Sequence, residues 1–173
     1  MRWDFWQRAR AFLRPETRVL LVGREGREDL LALGHPLCLL ALALPAGDCL
    51  REEKRLGPLG VEVRPWNGGE PLPFDGQSLD LVLQYRQPYD LGEIRRVLKP
   101  GGFFLTEQAG GADSRAGELG LPGDYNLENQ KPLFYEAGFR VVYGDQGYEA
   151  AGRDRKRELH HRFMIVAGKG RKG

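Results

Sequence analysis

Residues 90–108, DLGEIRRVLKPGGFFLTEQ, constrain the fold more than any other part of the chain. Asp90 carries the acceptor oxygen of a helix N-cap, and Glu93 stands three residues on, at the spacing of a capping box. Leu91, Ile94, Val97 and Leu98 recur at helical spacing, which predicts one apolar face. Pro100 disfavours helical geometry at Lys99, and Gly101 and Gly102 let the backbone reverse with positive φ. Phe103, Phe104, Leu105 and Thr106 then read as a buried strand. A helix, a forced reversal and an apolar strand together make the unit that feeds a parallel sheet.

The same alternation runs through the chain. Strands are expected at 18–23, 37–44, 61–64, 79–83, 103–106, 139–143 and 158–167. Helices are expected at 3–14, where Trp3, Trp6, Phe5, Phe12 and Leu13 form an apolar stripe ended by Pro15, and at 29–33. A third follows at 48–56, capped by Asp48 with Glu52, Glu53, Lys54 and Arg55 facing outward. A last one, at 126–137, is capped by Asn126, and Pro132 either kinks it or marks its first turn. The Gly-rich segment 109–124 is either disordered or a functional lid. Residues 144–156 are polar and expected to be mobile, and the basic tail 168–173 to be a solvated end. The predicted architecture is a single α/β domain over 1–173, a three-layer sandwich with a seven-stranded, mostly parallel sheet and helices on both faces.

Composition narrows the function classes. The 173 residues are 41% hydrophobic and 29% charged with a net charge of +2, which describes an ordinary globular protein and gives no electrostatic case for nucleic acid. No apolar run reaches transmembrane length, and the opening MRWDFWQRAR has no signal-peptide core. Cys38 and Cys49 with three histidines make no zinc spacing, so no metal is expected. Free thiols in core elements fit a reducing, cytoplasmic setting without membrane contact.

Four pieces in order, RVLLVGREG, EPLPFDGQSLDLVL, EIRRVLKPGGFF and LFYEAGFRVV, resemble class I S-adenosylmethionine-dependent methyltransferases of the type 11 kind. The resemblance covers 18–168 and implies their Rossmann-like sheet with the last strand antiparallel. It also implies S-adenosylmethionine as cofactor, held over the turn after the first strand by Gly23, Arg24 and Gly26 and flanked by Asn67 and Leu72. Tyr85, Arg86 and Tyr89 would face a substrate.

The chain departs from the family's pattern where the cofactor is held. Leu21 stands at the usual acid, Glu25 replaces a glycine of the turn, and Ala43 or Leu44 stands where a carboxylate would grip the ribose. Losing two charge-assisted hydrogen bonds, at about 1.5–3 kcal/mol each, predicts two or more decades of lost affinity. One reading is therefore a methyltransferase-like protein with a degenerate cofactor site that acts as a binding or structural subunit. Its partner, or a second copy in a homodimer, would meet the aromatic N-terminal helix. The other is an active methyltransferase of unknown small-molecule or macromolecular acceptor, with Arg24 or Arg27 gripping the methionine carboxylate and no identified catalytic residue. A nicotinamide oxidoreductase is disfavoured, since the glycine pattern and a Tyr-x-x-x-Lys are both missing.

Overall fold

A computed structural model describes residues 3–33, 39–151 and 158–171. Seven strands form one sheet: β1 (Arg18–Val22), β2 (Leu39–Leu44), β3 (Glu62–Pro65), β4 (Leu79–Tyr85), β5 (Leu98–Ala109), β6 (Phe139–Ala151) and β7 (Glu158–Lys169). Their order is β3-β2-β1-β4-β5-β7-β6. The first five are parallel, and β7 runs antiparallel to both β5 and β6. The helices are α1 (Phe5–Arg10), α2 (Arg27–Leu33), α3 (Ala46–Leu56), α4 (Leu91–Val97) and α5 (Leu127–Glu136).

The pleat explains why the strands read as unbroken apolar runs. Side chains alternate across a strand, and both faces of this sheet are covered. Val19 and Leu21 of β1 pack with Phe5, Leu30 and Leu56 beneath α1, α2 and α3. Leu20 and Val22 pack with Ile94, Phe104 and Phe134 beneath α4 and α5. Leu20 and Leu21 are both fully buried, each contributing roughly 1.5–3 kcal/mol of apolar transfer.

Local chemistry sets the helix boundaries, with several differences from expectation. Asp90 caps α4 by accepting from Glu93 N at 3.2 Å. The Glu93 carboxylate does not close a capping box; it accepts from Leu72 N at 2.7 Å and from Arg96 Nε at 2.8 Å, and Arg96 holds it below the usual carboxylate range. Helix α1 is shorter than 3–14, capped by Asp4, whose Oδ1 accepts from Trp6 N and Gln7 N. Helix α3 begins after Pro45, which places Asp48 in its first turn instead of at the cap. Glu52 does not face outward: it is 4% exposed and pairs with Arg27 at 3.1 Å and Arg55 at 2.9 Å, so burial is offset by two guanidinium groups. Asn126 caps α5, and Pro132 lies inside that helix instead of in its first turn.

The C-terminal third differs most. The polar stretch after Tyr143 is strand, because β6 continues to Ala151 in register with β7. The tail is anchored as well. Lys169 closes β7, is 4% exposed, and donates to the carbonyls of Arg95 and Leu98 at 2.8 and 2.7 Å, capping the C-terminus of α4. Residues 34–38, 152–157 and 172–173, including Cys38 and the run RDRKR, lie outside the described residues.

Candidate functional site

In an open parallel sheet, ligands bind beyond the carboxyl ends of the strands where the strand order reverses. Here that point lies between β1 and β4. Gly23 and Gly26 form the turn after β1 with φ of 94° and 89°. Arg24 reaches back to α3 and pairs with Asp48 at 2.5 Å. Arg27, at the start of α2, is held by Glu52.

The space above this turn is occupied by the chain's own side chains. A Cβ built on Gly23 would lie 2.9 Å from Cγ of Gln87, so the Gln87 side chain covers that glycine. One built on Gly26 would collide with the indole of Trp6. Trp6 packs at 4.9 Å from the Phe5 ring and 5.4 Å from Tyr85. Trp3 donates through Nε1 to Glu107 at 2.7 Å. Both N-terminal tryptophans thus make contacts within their own chain. On the other side of β1, Trp66 donates to the Leu44 carbonyl through its backbone and to the Glu70 carbonyl through its ring. The cavity bounded by Val22, Trp66, Leu72 and Gln84 is about 20 Å³, the size for a single water. Gln84 faces it with Oε1 buried and unpartnered while its Nε2 donates to the Pro88 carbonyl at 2.6 Å.

A larger cavity, about 920 Å³, opens at the ends of β4 and β5. The turn after β4 supplies Arg86, Gln87 and Tyr89, and the loop after β5 supplies Asp113, Arg115 and Leu121. Helix α5 contributes Gln130 and Leu133, and β7 contributes Arg162. The loop is pinned at its base. Asp113 is 5% exposed and accepts from the backbones of Arg115 (2.9 Å) and His161 (3.1 Å) and from Arg162. Burial alone would raise its carboxyl, but these donors hold it below the usual range. Segment 109–124, expected to be disordered or a lid, is an ordered wall of this cavity.

The expected site residues are therefore divided between places. Arg86 and Tyr89 line the large cavity. Tyr85, one pleat away, faces the α1 side between Phe5 and Trp6, and burial followed by the Glu107 charge pushes its phenol up to about 12. Tyr89 donates to Gln130 Oε1 at 2.6 Å, and its phenol is pushed far up by burial, then by Tyr125. Leu72 is buried beside Trp66, while Asn67 is exposed in a turn that Glu70 closes on its backbone N–H at 2.6 Å. Gly23, Arg24 and Gly26 do not line the large cavity; Glu25 of the same turn does. Sequence reasoning missed Gln87, Gln108, Tyr125 and Arg162, which carry no motif, and Trp66, whose bulk in a Gly-rich loop was a visible signal. The phenols of Tyr89 and Tyr125 at the cavity are pushed up by burial and stay protonated at neutral pH, so neither is an activated nucleophile. No cluster of three or more metal-ligating side chains occurs among the described residues, and no described helix is long and apolar enough to cross a membrane.

Comparison with solved structures follows this geometry. A SAM-dependent methyltransferase from Methanosarcina mazei superposes with TM-score 0.68 at 16% identity, covering 97% of this chain and 99% of its own. A SAM-dependent methyltransferase from Aquifex aeolicus gives 0.65 at 17% identity, covering 95% and 89%. The partner of the Trm112 methyltransferase activator of Haloferax volcanii gives 0.72 at 18% identity, covering 96% and 89%. The fold is that of the class I S-adenosylmethionine-dependent methyltransferases. No family model matches the sequence, and no curated protein does. Methyltransferase-fold chains at this distance share a scaffold, and their chemistry is read from the site.

Proposed function

We propose that this chain is a cytoplasmic, methyltransferase-fold binding or structural subunit whose site for S-adenosylmethionine is degenerate and takes up the cofactor weakly or not at all. The observation that carries the reading is the Gln87 side chain lying on Gly23, where a cofactor would need bare backbone. The residues around it also do not suit the cofactor. Leu21, at the family's acid position, is fully buried in apolar surroundings. Arg24 and Arg27 are each paired with a carboxylate of α3, Asp48 and Glu52, which competes with any grip on a methionine carboxylate. Trp66 and Leu72 leave room for one water beside β1. The Haloferax volcanii relative, solved with an activator protein, makes a protein partner a reasonable expectation for this chain too. The partly buried Trp3 and Trp6, just before and within α1, put this aromatic N-terminal segment forward as the surface for a partner or a second copy.

Isothermal calorimetry with S-adenosylmethionine and its demethylated product tests this reading. The expected result is no binding in the micromolar range. A micromolar dissociation constant, or a stabilisation approaching about 2.7 kcal/mol at a hundredfold excess over it, would overturn the proposal. The second reading, an active methyltransferase of unknown acceptor, is favoured by one observation: Gly23 and Gly26 both keep positive φ, and Glu25 between them lines a cavity of about 920 Å³. The same titration decides between the two.

A further inference from the structure

We propose that the large cavity binds an uncharged aromatic compound carrying one N–H or O–H group, of the indole or phenol class, and that the side-chain oxygen of Gln108 is the acceptor that receives it. This rests on reading the chain as a binding protein and extends that reading to the chemistry of what is bound.

Gln108 lies on β5, is 5% exposed, and lines the cavity. Its amide can be oriented in one way only. Nε2 donates to the Gln87 carbonyl at 2.8 Å and to Thr106 Oγ1 at 2.7 Å. A carbonyl cannot donate, and the Thr106 hydroxyl already gives its hydrogen to the Gln84 carbonyl at 2.8 Å, so both partners require a donor. Both amide hydrogens are thereby spent. Oε1 is left with no hydrogen-bond partner among the described residues. An acceptor held this deep is costly to leave unpaired, so it marks the place of a donor that the fold itself does not supply.

The surrounding wall sets what carries that donor. Its other polar groups are engaged within the protein. Tyr89 donates to Gln130 at 2.6 Å, Asp113 accepts from Arg162, and Asp90 accepts from the Glu93 N–H at 3.2 Å. Arg115 pairs with Glu118 at 3.4 Å. Arg86 turns its guanidinium toward the Tyr85 ring and Glu107, on the α1 side of the sheet. Glu25 is exposed to solvent, where its charge is screened. A ligand charge would therefore be buried without a counter-charge of its own, which favours a neutral ligand. Leu91, Leu121 and Pro122 give the cavity an apolar wall. Leu119 and Leu133 line it as well while 50% and 45% exposed, apolar surface that a ligand body would cover. The volume of about 920 Å³ lies within the range of small-molecule sites.

Calorimetric titration with indole, 1-methylindole and indole-3-carboxylate tests the assignment on the full-length protein, on Gln108→Met and on Leu121→Trp. The wild type is expected to bind indole at least about fivefold more tightly than 1-methylindole, which covers Oε1 without offering it a hydrogen. Indole-3-carboxylate is expected to bind more weakly than indole. Gln108→Met is expected to bring indole down to 1-methylindole, and Leu121→Trp to weaken both by filling the cavity. The wild-type contrast and Leu121→Trp decide the matter even if Gln108→Met does not fold. Equal binding of indole and 1-methylindole by the wild type, no binding of either, tighter binding of the carboxylate, binding unaffected by Leu121→Trp, or a preference that survives in Gln108→Met would overturn the proposal. S-adenosylhomocysteine is titrated into the same preparation. Its binding, with the indole preference intact, would strike the degenerate-site reading and leave the Gln108 site standing.

Discussion

The imidazole of His161 gives this protein a pH dependence that can be worked out from geometry. The residue is 1% exposed, and Tyr148 stacks on its ring at 4.4 Å. Nδ1 accepts from the Ala112 N–H at 3.1 Å, and Nε2 faces the amide oxygen of Gln146 at 3.3 Å, so the ring is neutral with its hydrogen on Nε2. Protonating Nδ1 would set a new N–H against the amide of Ala112, in the loop that walls the large cavity. The titratable and charged groups around the ring are Asp113, Arg162 and His160. Burial, ahead of the opposing pull of Asp113 and the repulsion from Arg162, lowers the imidazole pKa below its usual value. The unfolded chain then binds this proton more readily than the folded one, so stability falls as pH drops below the unfolded value of about 6.5 and levels off below the folded value. The slope is at most about 1.4 kcal/mol per pH unit, and between pH 7 and 5.5 the loss from this group is at most about 1.2 kcal/mol. His161→Asn places an acceptor near Nδ1 that cannot titrate. Urea unfolding at both pH values should show the wild type losing up to that amount more than the variant, and hydrogen exchange at Ala112 should quicken in the wild type alone. Equal losses in the two proteins, or an imidazole resonance titrating at or above pH 6.5, would refute the reasoning.

Two further predictions concern packing. Gly26→Ala should destabilise by about 1–3 kcal/mol, from positive φ and collision with Trp6, while Trp6→Ala should cost about 2 kcal/mol of lost aromatic contact. In the double variant the steric part disappears, so denaturation midpoints should show less than additive loss; strict additivity would mean the indole does not rest on Gly26. Lys169→Met should cost about 2–3 kcal/mol, because the carbonyls of Arg95 and Leu98 lose their donor; a loss within error in urea unfolding would place this ammonium in solvent instead.

The legible parts of the fold were those decided locally. The cap at Asp90 and the apolar runs of β1, β2 and β4 depend on a few neighbouring residues, and each lies where the pattern placed it; Gly101 takes the expected positive φ but Gly102 does not, and β5 begins earlier than expected, at Leu98. What sequence could not convey was decided by distant partners. Glu52 reads as a surface charge until Arg27, on a different helix, is brought beside it. The segment GDQGYEAA has no strand alternation, and it becomes strand because β7 offers a pairing edge and Gln146 and Tyr148 have His161 to meet. At the candidate site, the apolar Leu21 and Ala43 or Leu44, at positions where the resemblance implies acids, are visible as letters. That Gln87 would lie over Gly23, or that the loop after β5 would wall a cavity, required the sheet to be assembled first.

The placement of β7 bears on how the chain is made. It follows β6 in the chain, yet it sits between β5 and β6, pairing Phe103 with Gly168 across the sheet. Five parallel strands can assemble on the nascent chain, but β5 keeps an open edge beside Phe104 and Leu105 until β7 arrives. Loss of residues 158–169 would therefore part the sheet in its interior. The growing polypeptide passes through a stage in which the β5 edge awaits β7, and in that interval any other extended segment competes for the same hydrogen bonds.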